Sequence, residues 1–145
     1  YEYKDETVHF KLGLDACGII NPCDKMWDEL LDIHKVRELI DNGTVIEKYR
    51  DAIGNRAVEM YSFEYEFDGH KTLCLNNVFG GSEWFGEKIK EYDIVCSFHN
   101  MNNKLWEYSL YSTKDNVDCS EICKKFGGGG HKGAAGFTSD KFIFK

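Results

Sequence analysis

The sequence predicts an α/β fold: a mixed β-sheet flanked by helices and preceded by a helical connector. Two observations carry this. Apolar residues recur at helical spacing through roughly the first sixty positions. From Tyr61 the period changes to two, with Tyr61, Phe63, Tyr65 and Phe67 alternating with Ser62, Glu64 and Glu66. Strand-like and helix-like runs then interleave to the end, as layers of helix on sheet require. The change of period divides the chain into residues 1–60, a helical connector, and 61–145, the sheet domain.

The elements follow in order. Asn21-Pro22 marks a turn, and Asp24 is placed to cap a helix running to about Asp41. One face of that helix is Trp27, Leu30, Leu31 and His34, widened by Ile33, Val36 and Ile40. Asp24, Asp28 and Asp32 repeat every four positions and read as a solvated face near a helix N-terminus, favoured by the helix dipole. Asn42-Gly43 is a stop signal, and Thr44 with Glu47 has the spacing of a capping box, so a second helix is expected at once. Its apolar line is Ile46, Tyr49, Ile53, Ala57 and Met60.

After the first strand, Asp68-Gly69 forms a hairpin turn into a strand around Lys71–Leu75. A short helix is expected over Trp84–Lys90. A second hairpin follows, with strands Ile94–His99 and Leu105–Ser112 and its turn within Asn100–Asn103. Asp118, with Glu121 three residues on, opens a helix that carries Ile122 and Phe126 and ends at Gly127. Phe142 and Phe144 alternate in a last expected strand, Lys141–Lys145.

A chain of 145 residues has room for one domain, or one domain and a piece of another. A formal charge of −7 argues against broad electrostatic binding to duplex DNA or to an anionic membrane. No apolar run reaches membrane-spanning length, and no basic stretch leads into an apolar one, so no membrane partner is expected. The six cysteines, Cys17, Cys23, Cys74, Cys96, Cys119 and Cys123, form no C-x-x-C pair and read mostly as small buried hydrophobes. Together with the missing secretory signal they lead to the expectation of a reducing, cytoplasmic location. The start at Tyr1, without an initiator Met, leads to the expectation of a piece of a longer protein.

Chemistry concentrates in Phe126-Gly127-Gly128-Gly129-Gly130-His131-Lys132-Gly133-Ala134-Ala135-Gly136-Phe137. Glycine has no Cβ, so a ligand can approach bare main-chain N–H groups, and His131 and Lys132 add donors and positive charge beside them. Gly127, Gly128, Gly129, Gly130, His131 and Lys132 are therefore the candidate anion-binding residues. Ala134, Ala135 and Gly136 read as packing residues that let the segment approach the sheet. A second candidate is the stretch Asn76-Asn77-Val78-Phe79-Gly80-Gly81-Ser82, whose Asn76 and Ser82 side chains suit contacts to a sugar or phosphate. An ordinary loop of Asx turns explains the same residues. Phe79, Trp84, Phe85 and Tyr111 are candidates to stack on a nucleobase, with core packing as the default for aromatics. No nucleophile-and-base pattern, P-loop or metal-ligand cluster stands out.

The glycine stretch closely resembles the motif of the DHH-associated C-terminal domain (subfamily 1) of DHH-family phosphoesterases. The resemblance extends to Val117-Asp118-Cys119-Ser120-Glu121-Ile122-Cys123-Lys124-Lys125-Phe126, similar to the family's helix before the glycines. It reaches back to Leu73-Cys74-Leu75-Asn76 … Ser82, similar to its early strand and Asn/Ser loop. It is firmest over 117–137 and closest to oligoribonuclease-like, exopolyphosphatase-related members. It implies that residues 1–60 are the end of a catalytic lobe and its connector, and 61–145 the substrate-binding domain. It further implies a parent hydrolase that uses manganese held by Asp and His ligands in an N-terminal lobe. Those ligands, including an Asp-His-His run, do not occur in this sequence. No catalytic residue and no cofactor are therefore expected within the chain itself.

The expected partners are short RNA or a nucleotide phosphate, the N-terminal catalytic lobe, and a second copy in a homodimer. One departure bears on the substrate. Where many relatives carry an Arg within Ser-Leu-Arg-Ser, this chain has Ser109-Leu110-Tyr111-Ser112, so Tyr111 can stack or donate one hydrogen bond but cannot grip phosphate bidentately. The alternative function is a stand-alone, non-catalytic nucleic-acid-binding module.

Overall fold

The structure is a computed structural model that describes residues 5–18 and 25–144, apart from the Met26 side chain. The turn at Asn21-Pro22, the cap at Asp24 and Cys23 lie outside the described residues. The chain divides into two compact units, Tyr1–Ala52 and Ile53–Lys145.

The first unit contains α1 (Asp5–Ala16), the single turn α2 (Met26–Glu29) and the start of α3 (Ile33–Tyr61). Two helices meeting at Asn42-Gly43 were expected; α3 instead runs unbroken through that pair. The reason is packing. A Cβ on Gly43 would overlap the His9 carbonyl, and one on Gly13 would overlap that of Leu39, so both glycines serve a close crossing of α1 and α3. Thr44 does not cap either, because its hydroxyl donates to the Ile40 carbonyl at 2.9 Å, one turn back within the helix. Glu47 pairs with His9 Nε2 at 2.7 Å. Asp32 stands just before α3, and its carboxylate accepts from the His34 N–H at 2.9 Å. The expected apolar line also shifts: Tyr49 and Met60 are exposed, and Leu39 and Val58 are the buried hydrophobic residues of α3.

The second unit is a six-stranded mixed sheet of order β1-β2-β3-β4-β6-β5. The strands are β1 (Phe63–Phe67), β2 (His70–Asn76), β3 (Ile94–Met101), β4 (Leu105–Tyr111), β5 (Gly129–His131) and β6 (Ala134–Ser139). Only β2 and β3 pair in parallel; the other neighbours are antiparallel. Asp68 and Gly69 take φ of 54° and 81°, the left-handed pair that a two-residue hairpin between Phe67 and His70 demands. Between β3 and β4 the connection is three residues long, and Asn102 and Asn103 take left-handed φ of 53° and 56° within it.

The two sheet faces bury different sets. One carries Cys74, Cys96, Phe98, Tyr108, Leu110, Ala135 and Phe137 beneath α4 (Cys119–Lys124) and Phe144. The other carries Leu73, Leu75 and Val95 beneath Val58 of α3 and Phe85 of a 3-10 helix, Ser82–Lys90, which is kinked at Gly86. Asp118 caps α4 as expected, accepting from the N–H groups of Ser120 (2.9 Å) and Glu121 (3.2 Å). The Glu121 side chain turns to Lys124 instead of closing a capping box. The four core cysteines, Cys74, Cys96, Cys119 and Cys123, are fully buried. Burial disfavours the thiolate and makes the thiols of Cys119 and Cys123 weaker acids, pushed up to about 11.

The expected final strand over Lys141–Lys145 is absent among its described residues, and the last strand is β6, within the stretch expected only to pack. Phe142 and Phe144 alternate because they seat among aromatics, Phe142 on Trp106 at 4.8 Å and Phe144 on Phe98 at 4.8 Å between ring centroids. A side chain replaces the ladder there. The Tyr108 hydroxyl accepts from the Ile143 N–H at 3.1 Å and donates to the Lys141 carbonyl.

Candidate functional site

The glycine run is split between two structures. Gly127 (φ 77°) ends α4, and its N–H donates to the Lys124 carbonyl, while that of Gly128 donates to Cys123. Those two N–H groups are consumed by the helix end, so they are not the open anion cradle expected of them. Gly129, Gly130 and His131 form the edge strand β5, and Lys132-Gly133 is the two-residue turn into β6. The glycines are needed for approach: a Cβ on Gly128 would overlap the Gly136 carbonyl, and one on Gly130 would lie 2.6 Å from the Ala135 Cα. The turn is pinned from both sides. The Lys132 carbonyl accepts from the Cys119 N–H at 2.8 Å, and the Gly133 carbonyl from the Ser112 N–H at 3.0 Å.

Register then places the polar residues. Val95, Tyr111, Ala134 and His131 form one row across β3, β4, β6 and β5, and Ser97, Ser109, Gly136 and Gly129 form the next. Residues paired across strands share a face, so all eight lie on the face opposite Tyr108 and Phe137. Over β2 and β3 that face is covered by apolar packing. Over β4, β6 and β5 it is open, with Ser109 and Tyr111 half-buried and Ala134 and His131 exposed. Tyr111 and His131 stand two strands apart, about 10 Å between backbones, across a floor of Ala134 and Gly136 that offers almost no side-chain bulk. This is a shallow recess with a donor at each rim.

The loop between β2 and the 3-10 helix forms one wall. The Asn77 N–H donates to the Phe98 carbonyl at 3.0 Å, its Nδ2 to the Gly80 carbonyl at 3.0 Å, and its Oδ1 accepts from the Phe79 N–H at 3.2 Å. Ser97 Oγ donates to the same Gly80 carbonyl at 3.4 Å. Gly80 packs so tightly on the Trp84 indole that a Cβ would overlap the ring. A Cβ on Gly81 would come 3.3 Å from the Tyr111 hydroxyl oxygen, so the loop reaches the recess. Glu83 Oε1 accepts from the Gly81 N–H at 3.0 Å. Burial raises the Tyr111 hydroxyl above its usual range; a hydrogen bond with Ser109 partly offsets this, and the Glu83 charge adds to it. Tyr111 is therefore a neutral donor at ordinary pH.

Of the residues expected from sequence, the fold brings Tyr111, Gly129 and His131 onto one face. Lys132 sits in the adjoining turn, and Ser82 follows the Gly81 wall. Asn76 is not brought there. It pairs with Phe98, and strand alternation puts it on the face of Cys74. The loop's structural residue is Asn77, buried at 7% exposure, which the sequence reading passed over. The order Asn-x-x-Gly, with a side chain able to bond both the second and third residues onward, was the signal available for it. Among the expected stacking aromatics, Phe85 is core, Trp84 is half-buried and Phe79 is exposed.

Among the described residues, no group of three His, Cys, Asp or Glu side chains is arranged to hold a metal ion, so this donor set does not fit a manganese centre. No helix of the described residues is long and apolar enough to cross a membrane.

No protein-family model matches the chain. In sequence it is similar to an uncharacterized protein, R106, of Acanthamoeba polyphaga mimivirus, at 27% identity over 128 residues, covering 78% of this chain and 28% of that protein. In structure it is similar to the pGpG-specific phosphodiesterase PggH of Vibrio cholerae, with a TM-score of 0.60 at 11% identity. The chain shares the fold of part of that enzyme. The likeness covers 96% of this chain and 57% of the phosphodiesterase. An uncharacterized protein from Helicobacter pylori G27 aligns over 73% of this chain and 28% of its own, with a TM-score of 0.44 and 19% identity. The chain thus spans about a quarter of its mimivirus relative and little more than half of the phosphodiesterase.

Proposed function

We propose that this chain is the substrate-binding lobe of a metal-dependent phosphodiesterase of the DHH family, acting on short oligoribonucleotides or related nucleotide phosphates. The observation that carries the reading is the open half of one sheet face. There His131 and Tyr111 flank a floor of Ala134 and Gly136, built from the segment whose residues resemble the family's motif. The shared fold with part of a phosphodiesterase supports it. Chemically, the recess can bind and orient: His131, Lys132 and Tyr111 offer donors to phosphate oxygens, and the small floor admits a ligand to main-chain distance. Bond cleavage and the manganese ions are assigned to another part of a longer protein, since among the described residues no side chains are grouped to hold a metal ion.

The test is binding of a 5′-phosphorylated dinucleotide to this chain, followed by two-dimensional NMR. His131→Ala is expected to weaken binding roughly tenfold or more, the scale of one charge-assisted hydrogen bond, and to leave the spectrum of the β2–β3 core unchanged. Unchanged affinity in that variant rejects the site. No hydrolysis is expected from the chain alone with manganese; turnover would reject the division of labour.

A further inference from the structure

Resting on the phosphodiesterase-lobe reading, we infer that Phe79 is the residue against which a substrate nucleobase stacks, so that the recess selects nucleotides over inorganic phosphates. Phe79 is 92% exposed, and Val78 beside it is 56% exposed. An exposed Phe is unremarkable on a loose loop, but this loop is held. The buried Asn77 side chain bonds the N–H of Phe79 itself and the carbonyl of Gly80, Ser97 bonds the same carbonyl, and Gly80 is locked against Trp84. A buried polar side chain is thus committed to fixing the main chain that presents one bare aromatic ring.

The position of that ring is tied to the recess. Gly80 is anchored to Ser97, which shares a cross-strand row with Ser109, Gly136 and Gly129, and Gly81 abuts the Tyr111 hydroxyl. Phe79 therefore stands two residues along the loop from Gly81, which meets the Tyr111 hydroxyl at the recess. The chemistry of the site matches. The chain carries a net charge of −7, and the recess has Glu83 at its wall, so attraction for bare polyanions is modest. A flat π-face adds affinity that every base can use, because each base has its own π-face, and such stacking does not depend on sequence. Tyr111, in the same row as His131, can stack or offer one neutral hydrogen bond but no charge pairing, which favours a base over a bare polyanion.

The test compares Phe79→Ala, Phe79→Leu and Phe79→Trp in the 145-residue chain, with fold integrity read from the two-dimensional spectrum. The probes are a 5′-phosphorylated diadenosine dinucleotide and inorganic pyrophosphate. Phe79→Ala and Phe79→Leu are expected to lose roughly fivefold or more in dinucleotide affinity, Phe79→Trp to retain it, and all three to leave pyrophosphate binding unchanged. If Phe79→Ala binds the dinucleotide as the parent does while His131→Ala does not, the stacking role is overturned and the phosphate site stands. If Phe79→Leu retains affinity, the residue acts by apolar bulk and stacking is again overturned. If the parent chain binds neither probe, both readings fall together.

Discussion

On the face formed by Cys74, Cys96, Tyr108, Leu110 and Phe137, the buried residues of the central strands join one apolar cluster. Phe137 stacks on Tyr108 at 4.8 Å and on Phe126 at 4.6 Å between centroids. The opposite face starts the same way, with Leu73, Leu75 and Val95 sealed under Val58 and Phe85, but past β3 it turns to Ser109, Tyr111, Ala134 and Gly136 and is left open. The same strands supply both faces, so the difference lies only in alternate residues. Stability is concentrated on one side, and small or hydrogen-bonding side chains are affordable on the other. A sheet can expose a ligand-binding surface because its reverse supplies the cohesion.

That division makes graded predictions. The largest effect belongs to the sealed face: Phe137→Ala removes two ring stacks and opens a cavity, and should cost about 3–5 kcal/mol in chemical denaturation. A loss below 1 kcal/mol, on the order of a surface change, would show that the aromatic stack is not what holds the sheet. Gly128→Ala comes next. Its methyl group would overlap the Gly136 carbonyl and press on Phe137, so β5 must shift, at about 1–3 kcal/mol. A lowered melting temperature together with displaced His131 resonances checks it. Tyr111→Phe tests the open face. It should change stability by no more than the ~0.5–1.5 kcal/mol of one hydrogen bond and lower dinucleotide affinity about two- to tenfold, read by titration.

The smallest effect is set by pH. Hydrogen bonds from the Ser120 side chain, then from the Glu121 and Ser120 main chain, hold the Asp118 carboxyl below its ordinary value. Its folded pKa is thus lower than its unfolded one. The contribution is fully present above the unfolded value and is lost as pH falls through the folded value. Melting temperature should therefore drop more steeply in acid for the parent than for Asp118→Asn, which keeps the cap without the charge. Parallel curves for the two would remove Asp118 from the account.

Much of this was legible in the sequence wherever local chemistry leaves one solution. Asp68-Gly69 and Asp118 read correctly because a left-handed turn and a helix cap each demand particular residues on the spot. Asn42-Gly43 carried the same kind of signal and misled, because Gly43 serves an approach to His9, thirty-four positions away in sequence and invisible locally. The strand Ala134–Ser139 was hidden by alanines and glycine, residues with weak strand preference. Its alternation of Ala135 and Phe137 is real, but it is sparse. Phe142 and Phe144 gave the opposite error, since aromatic packing alone produced a strand-like alternation. For the site, the motif identified His131 and the glycines, but only register shows that Asn76 faces the wrong way and that Tyr111 lies in His131's row.

The connection from β2 to β3 has one more role. Because these two strands run parallel, the chain must leave the end of β2 and travel back to the start of β3, and Asn77, Phe79, Gly80 and the 3-10 helix lie on that return path. A parallel pairing closes late, after the local hairpins, since its ends are far apart along the chain. The wall of the recess therefore assembles with that long-range pairing and not with the hairpins. A partly folded chain, even one with both hairpins formed, would lack the surface that receives the ligand, so binding itself reports that folding is complete.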